Sequence, residues 1–201
     1  MHDDVGKTSG FFKALDEAYL PEQVTATWQV ANGAEGWKDA PAIGALLSPP
    51  ALPPLDADGK YLDADFPAIP ASIGASVKSP PDCWLRAPDF LPHTKLFDGI
   101  EPGDITQGHL GNCWLMAAFA CVAEFPILIE SLFREESATA DGRYTVRLYD
   151  LSTKDWVALS IDDAIPCKWR HGNPVPCFTR PSGREMWTLL LEKAFAKLCG
   201  S

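Results

Sequence analysis

The chain of 201 residues is 46% hydrophobic and carries 27 acidic against 17 basic side chains, a formal net charge of −10. It has the balance of a soluble globular chain. No basic patch is present to displace counterions, which excludes nucleic acid as a partner. No apolar run reaches the length of a membrane span, and the N-terminus has no basic-then-apolar leader. The expected location is therefore the cytoplasm.

The acidic excess is uneven. Residues 1–112 hold 16 acids and 7 bases, and residues 113–201 hold 11 and 10. A calcium ion or a basic partner suits the first half better than a polyanion does, although a merely solvated acidic face is the preferred account. The six cysteines, Cys83, Cys113, Cys121, Cys167, Cys177 and Cys199, form no CxxC pair and show no regular spacing. Neither a disulfide framework nor a zinc ribbon follows from them.

In chain order, Phe11, Phe12, Leu15 and Tyr19 fall at helical spacing and predict a short helix that Pro21 ends. Residues 21–60, rich in Ala, Pro and Gly, read as an extended lead-in, so that residues 1–60 form an N-terminal extension. Residues 61–95 read as irregular, anchored by Trp84 and Phe90. Phe97 to Asp104 is a loop on turn chemistry. An apolar helix is predicted over about 112–124, stopping before Pro126, which opens a shorter helix through about Phe133. Tyr144 to Tyr149 and Trp156 to Ile161 alternate as a hairpin, joined by Leu151–Lys154. Val175 to Thr179 is a further strand. The last helix is predicted from Glu185 to Leu198, with Trp187, Leu190, Leu191, Ala194 and Leu198 on one face and Gly200 as its stop. The fold class is α+β, mostly helical around the helix of Cys113, with a small antiparallel sheet from 143 to 179.

The stretch Gln107–Phe125, QGHLGNCWLMAAFACVAEF, carries the chemistry. A helix apolar on all sides belongs inside a protein. Cys113 falls at its first turn, where unpaired N–H groups and the helix dipole favour a thiolate. A thiol there is a candidate nucleophile. Gly108 and Gly111 allow close backbone approach, and Gln107 can offer a side-chain N–H to a developing oxyanion. The simpler reading is that Cys113 is a small buried hydrophobe. Trp114, Trp156 and Trp187 are expected in the core rather than against substrate.

The string QGHLGNCWLMAA resembles the papain-like thiol proteases and the calpain family in particular. Other segments resemble that family in the same order. Asp63-Ala-Asp-Phe-Pro with Ser72-Ile-Gly is similar to the opening of the calpain protease core, and Cys83-Trp84-Leu85-Arg86-Ala87-Pro88 to its Trp-x-Arg-Pro entry, with the proline one place later. Trp156-Val157 followed by Ile161-Asp162-Asp163-Ala164-Ile165-Pro166 resembles a third motif. Glu185-Met186-Trp187 through Leu191-Glu192-Lys193-Ala194-Phe195-Ala196-Lys197 resembles a fourth. The resemblance covers about 63–201 and implies a papain-like N-terminal lobe over 61–201.

It further implies hydrolysis of peptide bonds in protein substrates, with Cys113 as nucleophile and Gln107 in the oxyanion site. A histidine must take and return the proton. Papain-type enzymes place the His and Asn about 130–150 residues after the cysteine, whereas 88 residues follow Cys113 here. In calpains those residues belong to a second lobe, which is expected downstream, so this chain alone is expected to be inactive. His2, His93, His109 and His171 are not placed as the base.

The resemblance also implies a Ca2+ site built from the carbonyls of Phe97 and Gly99 and the carboxylates of Asp104 and Glu185. Oxygen ligands from a loop with two carboxylates suit calcium. Against it, Ser182-Gly183-Arg184-Glu185 reads as a capping box, and Asp104 can serve a turn. Pro102 stands where conventional calpains carry an arginine that contacts the second lobe. Zinc at Cys167, His171 and Cys177 lacks a fourth ligand. The alternative to a protease is a non-catalytic calcium-binding or protein-interaction module with a calpain-like fold.

Overall fold

In the computed structural model the described residues are 55–74, 77, 80–108 and 111–200. The helix expected within residues 1–20 and the lead-in through residue 54 lie outside them. The described chain opens with a turn closed by a Leu55–Tyr61 bridge and a 3-10 turn at Pro70–Ile73. Strand β1 (Cys83–Arg86) runs straight into a single helical turn, α1 (Ala87–Phe90). The loop over 91–101 leads to a 3-10 turn at Pro102–Asp104. Helix α2 (Cys113–Ala123) and helix α3 (Pro126–Leu132) follow. They meet at a bend of 114°, where Pro126 denies the chain a helical N–H and fixes a new first turn.

The second half is β2 (Arg143–Asp150), β3 (Asp155–Asp162), β4 (Ala164–Arg170), β5 (Asn173–Pro176) and helix α4 (Trp187–Cys199). Alternation places Tyr144 and Val146 in the core and Leu151 at the exposed β2–β3 turn. The strands make two antiparallel sheets instead of the single one expected. The β2–β3 hairpin pairs Arg143 with Asp162 through Asp150 with Asp155. The other sheet has the order β1-β4-β5, pairing Cys83 with Cys167 and Cys167 with Pro176. The break lies at Asp162-Asp163, where the chain leaves one sheet for the other. β1 was not readable as a strand because its four residues are all half-buried and its partner lies some eighty positions later. Strands and α-helices contribute comparable lengths of chain, so the fold is α+β without the helical majority anticipated.

One apolar core joins Leu96, Leu115, Met116, Phe119, Ile129, Phe133, Tyr144, Val146, Ile161, Trp187, Leu190 and Leu191. Trp187 is fully buried, as its role in the core requires. Trp156 is half-buried, with the Arg147 guanidinium 4.8 Å from its ring centre. Trp114 is a correction: it is 61% exposed and meets Phe195 edge-on at 5.6 Å. The α2 helix is likewise not buried all round. Leu115, Met116, Phe119 and Ala123 face the core, whereas Cys113, Trp114, Ala117, Ala118 and Cys121 form an exposed apolar face. Apolarity on every side shows that both faces are suited to burial, but only one is covered by the described residues.

The polar frame of the fold hangs from α4. Lys193, 6% exposed, is ion-paired with Asp162 and donates to the Ala164 carbonyl at 2.7 Å. Asp162 also accepts from the N–H groups of Asp63 (2.9 Å) and Ala164 (3.0 Å). Lys197 pairs with Asp63 at 2.6 Å. Burial lowers the Lys193 pKa and the Asp162 charge opposes that shift. On the other side of the junction, Arg86 binds Asp163 (2.8 Å), Asp56 (3.3 Å) and the Tyr61 carbonyl (2.8 Å). Asp162→Ala leaves the Lys193 ammonium buried without its anion and should cost about 3–5 kcal/mol in urea unfolding. Arg184→Ala, at the exposed Arg184–Asp98 pair, should cost about 0–1 kcal/mol.

Candidate active site

The site is built where the 105–108 loop meets the segment after β5. Arg180 N–H donates to the Thr106 carbonyl at 2.9 Å, closing a short antiparallel bridge. Gly108 then lies flat against this segment: a Cβ there would fall 1.7 Å from the Phe178 carbonyl oxygen. Only glycine fits, and Gln107 is thereby set on the surface beside it. Gly111 meets no such neighbour. His109 and Leu110 are outside the described residues. At the far end of the loop Asn112 is the N-terminal flanking residue of α2, and Cys113 occupies the first helical position, exposed to solvent.

Two residues that the sequence reading did not single out hold this arrangement. Asn112, buried, donates its side-chain amide to Glu192 Oε1 at 2.7 Å. Glu192 Oε2 accepts the Thr179 N–H at 2.8 Å. Thr179 in turn directs its hydroxyl to the Met116 sulfur on α2 at 3.3 Å. Burial pushes the Glu192 pKa up, against its hydrogen bonds to Thr179 and Asn112. A largely apolar cavity of about 220 Å³, lined by Trp84, Phe178, Leu189 and Lys193 among others, borders the same carboxylate. The available signal was a Glu-Lys pair set within the apolar run Leu189–Phe195, where an amphipathic helix has no place for solvated charge.

Three of the other thiols are less accessible than the exposed Cys113: Cys83 is half-buried, and Cys167 and Cys177 are buried. Burial pushes Cys167 up to about 12 and Cys177 up to about 11, and raises Cys83 as well. Such thiols are poor nucleophiles at neutral pH. Cys121 and Cys199 are exposed. The described histidines, His93 and His171, are exposed residues in left-handed backbone (φ 56° and 51°), His171 at the β4–β5 turn. Neither hydrogen-bonds Cys113.

The structure also brings Asp104 and Glu185 together. Glu185 is 3% exposed and accepts the Asp98 N–H at 3.0 Å. Burial raises its pKa to about 7, the Asp98 N–H opposes this, and the neighbouring Asp104 carboxylate adds to it. Asp104 accepts the Glu101 N–H at 2.7 Å. Among the described residues neither carboxylate has an ion-pair partner. The buried Trp187 indole N–H faces Glu185 without reaching good hydrogen-bond geometry. Phe97 and Gly99 flank Asp98 in the same loop, Phe97 edge-on to Phe133 and Gly99 at φ 99°. Glu185 does not cap α4: Met186 is the flanking residue and makes no side-chain cap, because Lys95 backbone bonds to Arg184 and Met186 hold the chain in a loop there. Among the described residues no cluster of three His, Cys, Asp or Glu side chains is gathered for a metal.

Residues 61–201 match the family model of the calpain family cysteine proteases. The chain belongs to the calpain family. It is 32% identical over 157 residues to the calpain-type cysteine protease DEK1 of Arabidopsis thaliana, covering 72% of this chain and 7% of that protein. Calpain-8 of Rattus norvegicus is 34% identical over 149 residues, 70% of this chain and 21% of its own length. A calpain of Schistosoma mansoni is 35% identical over 147 residues, 69% of this chain and 19% of its own. The calpain-family chain thus spans about a fifth or less of these relatives. Within the matched region the motifs acquire physical roles: Asp63, Arg86, Asp162, Asp163, Lys193 and Lys197 form ion pairs that tie its segments together.

Proposed function

We propose that this chain is the nucleophile-bearing lobe of a calcium-dependent, calpain-type cysteine endopeptidase that performs limited proteolysis of protein substrates in the cytoplasm. The observation that carries the reading is Cys113: a solvent-facing thiol at the first position of α2, in a calpain-family domain. The Cys113 sulfur attacks the scissile carbonyl, and its own N–H and the Gln107 side-chain N–H stabilise the oxyanion. The proton is taken and returned by an imidazole from a second lobe. The exposed apolar face of Cys113, Trp114, Ala117, Ala118 and Cys121 suits such a lobe as its seat. Six unpaired thiols suit a reducing compartment.

In this reading iodoacetamide alkylates Cys113 on the order of tenfold faster than Cys121 or Cys199 at neutral pH, read by mass spectrometry of the digested chain. The 201-residue chain alone turns over no fluorogenic peptide. Equal reactivity of the three exposed thiols would favour a non-catalytic module. Turnover abolished by Cys113→Ala would place the base within this chain.

The residues fit a calcium ion: two buried carboxylates without a cation partner among the described residues, Asp104 from the loop that also offers the Phe97 and Gly99 carbonyls and Glu185 from the segment before α4. Asp104 and Glu185 would hold the ion, which would supply the positive charge that relieves their mutual repulsion. Calorimetric titration with CaCl2 should show one site, lost in Glu185→Gln and in Asp104→Asn. Absence of binding heat in the parent chain, or binding untouched by both substitutions, would contradict this part.

A further inference from the structure

An asparagine flanking a helix N-terminus ordinarily folds its side-chain oxygen back onto the second or third N–H of the helix. Asn112 does not: α2 has no side-chain cap. Its amide is drawn away by Glu192 Oε1 at 2.7 Å. The Leu115 and Met116 N–H groups already reach the Asn112 carbonyl, at 2.9 and 3.1 Å. The donors left open at the tip of α2 are therefore those of Cys113 and Trp114, and among the described residues neither finds an acceptor. The second Glu192 oxygen binds the Thr179 N–H at 2.8 Å. Thr179 follows Phe178, whose carbonyl is the surface on which Gly108 rests, next to Gln107. One buried carboxylate thus touches both walls of the site, the nucleophile's helix on one side and the support of the oxyanion loop on the other.

We propose that Glu192 is a positioning residue for the thiol chemistry: it holds Asn112 off the α2 N-terminus, keeping the first-turn N–H groups open, and sets the spacing between Cys113 and Gln107. The inference rests on the reading of Cys113 as the nucleophile. Both oxygens of the carboxylate are engaged by donors, so the arrangement needs an acceptor at 192 and a donor at 112. Asn112→Asp places two carboxylates face to face and frees the new one to cap α2. Adding Glu192→Gln restores the link with its polarity reversed. The new amide donates to the new carboxylate, while its oxygen still accepts the Thr179 N–H.

The test is the rate of Cys113 alkylation by iodoacetamide at pH 7 in the 201-residue chain, with Cys121 and Cys199 as internal references. Circular dichroism and cooperative unfolding confirm the fold of each variant. Asn112→Asp should slow Cys113 roughly tenfold or more relative to the references, the scale of effect that small misplacements produce. The Asn112→Asp, Glu192→Gln pair should return it to within about threefold of the parent, the signature of two coupled positions. A folded Asn112→Asp chain with an unchanged Cys113 rate overturns the inference, as does a folded double variant that is not restored. Should Asn112→Asp fail to fold, Asn112→Ser serves: its short hydroxyl cannot reach Glu192 and caps α2 instead, and an unchanged rate again overturns the proposal. A parent Cys113 no faster than Cys121 overturns the protease reading itself, whereas a fast Cys113 indifferent to position 112 overturns the positioning role alone.

Discussion

The described fold depends on three charged side chains of one helix, two of them buried and the third half-buried. Glu192, Lys193 and Lys197 of α4 each reach a different part of the chain: Asn112 before Cys113, Asp162 at the junction of the two sheets, and Asp63 near the start of the matched region. Burying an ion costs several kcal/mol, and a well-packed apolar residue of the same size often gives equal or greater stability. What charge adds is a demand for a matched partner. Helix α4 is thereby tied at three points, one of them the residue that precedes α2.

The same economy explains the sheets. At Asp162-Asp163 the chain leaves the β2–β3 hairpin for β4, and the two adjacent carboxylates turn to opposite cations, Lys193 and Arg86. Arg86 ends β1, so the β1–β4 pairing and the helix docking are decided within a few residues of each other. The apolar core fills the space this frame leaves, with Trp187 and Leu190 of α4 against Leu115, Met116 and Phe119 of α2. The candidate site residues differ in burial: Cys113 and Gln107 are exposed, whereas the Asp104 and Glu185 carboxylates are buried.

Much of this was legible in the residues. Alternation in Tyr144–Leu148 and Trp156–Ile161 specifies the hairpin, Pro126 specifies the break between α2 and α3, and Gly200, at φ 71°, ends α4. Of the glycines before Cys113, Gly108 was legible as a close approach, and it meets the Phe178 backbone. What was not legible depends on distant partners. β1 has no periodicity of its own and is a strand only because β4 lies beside it. The face of α2 that carries Trp114 is apolar by composition, but composition cannot say what covers it. Glu185 reads as the N3 position of a capping box, yet pairing of Lys95 with its neighbours holds it outside the helix. The Asn112–Glu192 bond joins positions 80 residues apart and has no local signature.

Hydrogen–deuterium exchange of the intact chain tests the central claim most directly, because it reads which segments open together. If α4 is the frame, peptides covering 61–66, 114–119 and 160–164 lose protection in step with 187–199 as urea is raised below the unfolding midpoint. Exchange of 114–119 at an independent, much faster rate while 187–199 stays protected would contradict the account, since the helix bearing the thiol would then be held by something other than α4.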